Sequence, residues 1–185
     1  MTTDHPSLKP AILALIFGGL ALSIMLGLRQ AMGVLLAPVA QDTAWSIAGL
    51  GFGFALMNLM WGVAQPVAGA LSDQHGPIPV MIGASVLASI GLLLMNLTGE
   101  LLWFNVGLGV LVGASLAGVG FPVVLGAIVK RTPVERRSMF QGIRSAIGSF
   151  GMFAMVLIAQ DLVELGGWHF AIWTIPFLRI NVLMV

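Results

Sequence analysis

Six stretches of this chain are apolar for long enough to cross a lipid bilayer, and that limits the fold before any other feature is considered. A helix spanning the hydrocarbon layer needs about 20 mostly apolar residues. Residues 11–37, 47–71, 79–98, 101–129, 138–162 and 168–185 meet that demand. The runs are continuous rather than alternating, which excludes a β-barrel and leaves helices as the only way to satisfy backbone groups in lipid. Of the 185 residues, 58% are hydrophobic and 8% are charged, where a soluble domain carries about 25% charged residues. The expectation is an all-α membrane protein. Residues 1–10 form a short cytoplasmic N-terminus, and residues 11–185 form a bundle of six transmembrane helices. The first apolar run continues to Pro38, well past the roughly 7–15 residues of a signal-peptide core. It is therefore expected to span the bilayer and to stop near that proline.

The same composition removes several function classes. A net charge of +1 offers no electrostatic footprint for nucleic acid. The chain has no cysteine, hence no disulfide framework, thiolate metal site or cysteine nucleophile. His5, His75 and His169 have no metal-ligand spacing. No span carries a carboxylate at mid-depth, so neither a metal nor a cofactor is implied. Gly148-Ser149-Phe150-Gly151 is not the Gly-x-Ser-Gly order of an intramembrane serine protease. Ser149 is also expected near mid-depth and His169 near the surface, too far apart for proton transfer. No enzyme is expected.

Charge placement predicts an orientation. Outside the spans the basic residues are Lys9, Lys130, Arg131, Arg136 and Arg137. With the N-terminus inside, all five fall on the cytoplasmic face, as the positive-inside rule requires. The opposite connections carry Asp42, Glu100, Asp161 and Glu164 and no Lys or Arg. Trp45, Trp103 and Trp168 lie near those outer ends, where interfacial anchors belong. Gly109, Gly113 and Ala117 recur every four residues, which places small residues on one face for close helix packing.

Polar groups inside the spans single out candidate functional residues. Arg29 lies two-thirds of the way along the first span, with Gln30 beside it. A mid-bilayer Arg costs about 2.5–3.5 kcal/mol, so it is expected to face a cavity or a partner. Such a cation attracts a carboxylate and can hold it bidentately. The bland alternative is an Arg whose stem snorkels to the surface. Asn58, Trp61 and Gln65 stand at i, i+3 and i+7 in the second span and share one face, either a pore lining or an interhelical hydrogen-bond seam. Arg144, two turns into the fifth span, either snorkels inward or lines an inner vestibule.

The turn after the second span reads GALSDQHGPIPV, from Gly69 to Val80. It resembles the signature loop of the major facilitator superfamily, G-x-L-[AS]-D-[RK]-x-G-[RK]-[RK], with Gly69, Leu71, Ser72, Asp73 and Gly76 matching. Gly69 would allow close helix contact and Gly76 a sharp turn. Gln74, Pro77 and Ile78 stand where the pattern has basic residues, so any charge network around Asp73 is built differently. The longer run through Arg29-Gln30, Asn58, Trp61-Gly62 and Gln65-Pro66, with PVERRS and GGW further on, is similar to the branch of monocarboxylate-transporter-like and oxalate/formate-antiporter-like proteins.

The resemblance implies the N-terminal half of a twelve-helix transporter that works by alternating access. Its implied partners are a small-molecule substrate, a small organic anion before a sugar or drug, with a coupled proton or counter-anion, the lipid bilayer and the missing C-terminal six-helix half. The implied location is the plasma (inner) membrane, multi-pass, with the N-terminus cytoplasmic. Arg29, Gln30, Asn58, Trp61, Gln65 and Arg144 are the candidate substrate contacts. The short, Arg179-containing last span suggests a truncated or frameshifted end. A six-helix module without transport activity, or a fragment inert on its own, stays open as an alternative.

Overall fold

The computed structural model describes residues 9–97, 99–120, 123 and 137–183. Three long helices come first: α1 (Lys9–Thr43), α2 (Ile47–His75) and α3 (Pro77–Leu97). Next, α4 (Leu101–Asn105) runs through a π-helical stretch (Val106–Val112) into α5 (Gly113–Gly118), forming one rod. The last element, α6 (Arg137–Leu183), is kinked at Gly167, where φ is 76° and ψ 179°. No strand occurs among the described residues. The remainder of the fourth expected span, and the basic residues Lys130, Arg131 and Arg136, lie outside the described residues.

Two expectations are corrected. Five helices, not six, are long and apolar enough to cross a membrane among the described residues. The expected fifth and sixth spans are joined in α6, where Ser138–Thr174 counts as one candidate crossing that includes the Gly167 kink. Pro38 does not stop the first helix, which continues to Thr43. A proline removes one N–H donor, here the one that would serve the Val34 carbonyl, and membrane helices tolerate such a loss. At the end of the helix the Thr43 hydroxyl donates to the Val39 carbonyl at 2.6 Å.

Packing follows an up-and-down path. Short turns at Ala44–Ser46, Gly76 and Gly99 reverse the chain. The Ser46 hydroxyl caps α2 by accepting from the Gly49 N–H at 3.1 Å. α1 packs chiefly against α6, and the rod of α4 and α5 sits between α2 and α3. Gly19 abuts Ile147, Gly148 abuts Leu22, and Gly27 abuts Met155, so α1 and the first part of α6 run parallel. Gly91 and Gly107 face each other's carbonyls, so α3 and the π-helical stretch touch backbone to backbone. The small-residue face expected in the fourth span is present: Gly109 lies on Leu56 and Gly113 on the backbone of Met57.

Leu22, Met25, Leu28, Leu50, Met57, Leu92 and Leu108 fill the interior. The outward surface is equally apolar, with Phe52, Leu59, Val63, Ile82, Val86, Phe150 and Phe153 exposed. A soluble protein would cover such residues, whereas lipid solvates them.

Candidate functional site

α1 and α2 bring Arg29, Gln30, Asn58 and Trp61 together. Arg29 is well inside the apolar span, with about 20 Å of helix between it and Thr43. Its Nε and Nη2 both donate to Asn58 Oδ1, at 3.3 and 2.9 Å. Its Nη1 donates to Gln30 Oε1 at 3.3 Å. The guanidinium carbon stands 5.5 Å from the centre of the Trp61 ring, within cation–π range. Asn58 is held in turn by its Nδ2, which donates to the Phe54 carbonyl one turn back at 2.8 Å. The spacing of Asn58 and Trp61 on one face of α2 anticipated half of this cluster. The other half, α1 presenting Arg29 to that face, depends on which helices become neighbours.

Among the described residues, all the groups that contact this cation are neutral. Among the described residues no carboxylate lies within 4 Å of Arg29. The Trp61 Nε1–H is buried and has no acceptor among the described residues. Positive charge and donors thus outnumber acceptors at this depth. Such an arrangement suits an anion and repels a second cation.

The other two intramembrane candidates stand apart. Gln65 is half-buried one turn beyond Trp61 and makes no side-chain hydrogen bond among the described residues. Arg144 is buried on α6, one turn before Ile147, which touches Gly19. The parallel register of α6 and α1 therefore puts Arg144 about 20 Å along the bundle from Arg29. The two arginines do not share one pocket within this chain.

The signature loop is partly as expected. Gly76 caps α2 with φ 85° and ψ 165°, and its N–H donates to the Ser72 carbonyl at 3.0 Å. That backbone conformation is essentially confined to glycine, so Gly76→Ala should cost about 1–3 kcal/mol. Thermal unfolding in bicelles checks this against Gly83→Ala, where the helix is ordinary and the added methyl meets open space. Ser72 is buried, and Leu71 and Asp73 are exposed. Gly69 departs from its expected role, since a Cβ there would meet nothing within 4 Å among the described residues. Its packing partner is not supplied by the described part of this chain.

A second cluster at the opposite end escaped the sequence. Trp168 Nε1 donates to Asp42 Oδ2 at 2.8 Å, and His169 Nδ1 contacts Asn96 Oδ1. The Trp168 ring stacks on His169 and meets Phe104 edge-on, and Phe104 meets Trp45 in the same way. Asp42, Asn96, Phe104 and Trp45 come from four different elements or their connections, so this aromatic hub gathers the ends of the bundle. An open pocket of about 480 Å³ lies beside it, lined by Gln41, Asp42, Trp168 and His169 among others. The only advance signal was the tryptophans' position at span ends, which says nothing about their partners.

Comparison with known proteins bears on these features together. The family model described as Major Facilitator Superfamily matches residues 11–183. Monocarboxylate transporter 11 of Homo sapiens is 32% identical over 133 residues, which is 72% of this chain and 26% of the relative. The uncharacterized MFS-type transporter YhjX of Escherichia coli is 30% identical over 74% of this chain and 32% of its own length. The Fujikurins efflux protein of Gibberella fujikuroi is 24% identical over 65% of this chain and 25% of its own length. The chain thus spans between a quarter and a third of the length of these relatives. With a family model covering nearly its whole length and membrane-spanning helices to match, the chain belongs to the major facilitator superfamily.

Proposed function

We propose that this chain forms the N-terminal wall of a secondary transporter for a small organic anion, with Arg29 as the attracting charge. One observation carries the proposal: a membrane-embedded guanidinium held, among the described residues, by neutral groups alone. An intramembrane cation that served packing alone would gain by pairing with a carboxylate. Leaving the charge uncompensated, beside further unused donors, favours a site that an anion completes. The relatives named as monocarboxylate transporters agree with this class of solute.

In this proposal the N-terminus and the Gly76 turn face the cytoplasm of a plasma or inner membrane, following the distribution of basic residues. A second six-helix half supplies the other wall, and a proton or counter-anion balances the charge moved. Helix faces left open in this chain, such as that of Gly69, are where that half would pack.

The test is uptake into proteoliposomes by the full transporter carrying this sequence, with radiolabelled monocarboxylates, dicarboxylates and a sugar offered in parallel. Arg29→Ala should lower anion uptake by about tenfold to a hundredfold, because hydrogen bonds to a charged group are worth about 1.5–3 kcal/mol. Arg29→Lys should retain part of it. Saturable sugar uptake that ignores Arg29→Ala would sink the anion assignment.

A further inference from the structure

A guanidinium offers a carboxylate two planar forks: a side-on fork made by Nε and Nη2, and an end-on fork made by Nη1 and Nη2. In Arg29 the side-on fork is taken, since Nε and Nη2 converge on the single oxygen Asn58 Oδ1. Asn58 is not free to turn away, because its Nδ2 is spent on the Phe54 carbonyl. Only one amide orientation suits both contacts. A flip would set NH₂ against the guanidinium donors and oxygen against a carbonyl. Nη1 has a single claim on it, from Gln30 Oε1 at 3.3 Å, as long as the Nε bond to Asn58, whereas Asn58 Oδ1 takes two donors at once, one of them at 2.9 Å. Trp61 stands against the guanidinium as well. The fork left for a ligand is the end-on one.

We propose that Asn58 is a positioning residue rather than a substrate contact. It grips Arg29 by the side-on fork so that an incoming carboxylate engages end-on, through Nη1 and the second hydrogen of Nη2, displacing Gln30. The inference rests on the anion reading of Arg29 given above. The neutrality of Asn58 is the essential property. An amide oxygen orients the cation without cancelling its charge, whereas a carboxylate in the same place would form a bidentate ion pair and remove the attraction for a ligand. Asn58→Asp is nearly isosteric and keeps the acceptor oxygen, so it separates orientation from charge. The substitution gives up the Nδ2 donation to the Phe54 carbonyl, and the ion pair with Arg29 then holds the side chain's direction.

The experiment uses the complete chain in nanodiscs, with [1-¹³C]acetate as the probe and ¹⁵N-labelled arginine to follow the Arg29 Nε–H. Acetate binding is read from broadening of its carboxyl resonance, and Arg29→Lys assigns the Nε–H signal. In the wild type, acetate should bind while the Arg29 Nε–H shift stays in place, because Asn58 keeps that edge. Asn58→Asp should move the Nε–H signal and weaken acetate binding by about tenfold or more, although Arg29 is still present. Asn58→Leu should leave the charge but release the edge, so that acetate now shifts the Nε–H. If acetate shifts the Nε–H in the wild type, or binds Asn58→Asp as well as it binds the wild type, the positioning role is overturned and the anion reading survives. Acetate binding that persists in Arg29→Ala, or is absent from the wild type, overturns the anion reading and this inference with it.

Discussion

Gly151→Val should be among the most damaging single substitutions in the chain, lowering its stability by about 2–4 kcal/mol. The glycine lies on α6 where that helix crosses Ser23 of α1, and a Cβ placed there would sit 2.5 Å from the Ser23 Cα. Backbone cannot swing aside as a flexible side-chain tip can, so the two helices must separate. Overpacking of this kind costs about 1–3 kcal/mol by itself. The separation also breaks the bond from the Ser23 hydroxyl to the Ile147 carbonyl, 2.6 Å long, worth roughly 0.6 kcal/mol in a membrane interior. In lipid no hydrophobic force restores the contact, because acyl chains solvate the parted faces as well as the helices did. The measurement is unfolding of the purified chain in bicelles, compared with Gly142→Val on the same helix, where nothing among the described residues lies within 4 Å. Equal shifts for the two variants would mean that the α1–α6 seam does not hold the bundle together.

That seam illustrates what a membrane sequence reveals. Long apolar runs and the rule that backbone groups must bond internally specify helices directly, and α2 and α3 fall close to their expected limits. Gly76 was legible because a turn between two spans needs a backbone that only glycine adopts easily. Pro38 misled because its effect in water, ending a helix, differs from its effect in a membrane bundle, where the lost donor is tolerated and α1 runs on to Thr43. The π-helical stretch at Val106–Val112 could not be read from its own residues. It lies where Gly107 meets Gly91 and Gly109 meets Leu56, so it goes with contacts to two other helices.

The candidate site divides in the same way. Period 3.6 put Asn58 and Trp61 on one face, and the cost of burying a charge marked Arg29. Neither could pair residues 29 positions apart, or keep Arg144 away from them. Helix neighbours are set by shape matching among small residues, and 24 glycines permit many such matches.

Trp168→Ala is expected to cost about 3–5 kcal/mol, the usual penalty for deleting a buried aromatic. Trp168 is 5% exposed, yet the sequence placed it merely at a membrane interface. Three contacts explain the size of the effect: the bond to Asp42, the edge contact with Phe104 and the stack on His169. They also explain why the chain bends where it does, since Gly167 with φ 76° turns the helix just before Trp168 enters the hub. Trp168→Phe separates these terms. It retains an aromatic ring against Phe104 but loses the donor to Asp42, so it should cost less than Trp168→Ala by about 1–2 kcal/mol. Asp42→Ala should be destabilising in the wild type and nearly without effect in the Trp168→Phe background, because the acceptor then has no donor to serve. A coupling of about 1 kcal/mol from that double-mutant cycle supports the bond. Additive effects would mean that Asp42 and Trp168 act independently, and that the end of α1 and the bend of α6 are held together by ring packing alone.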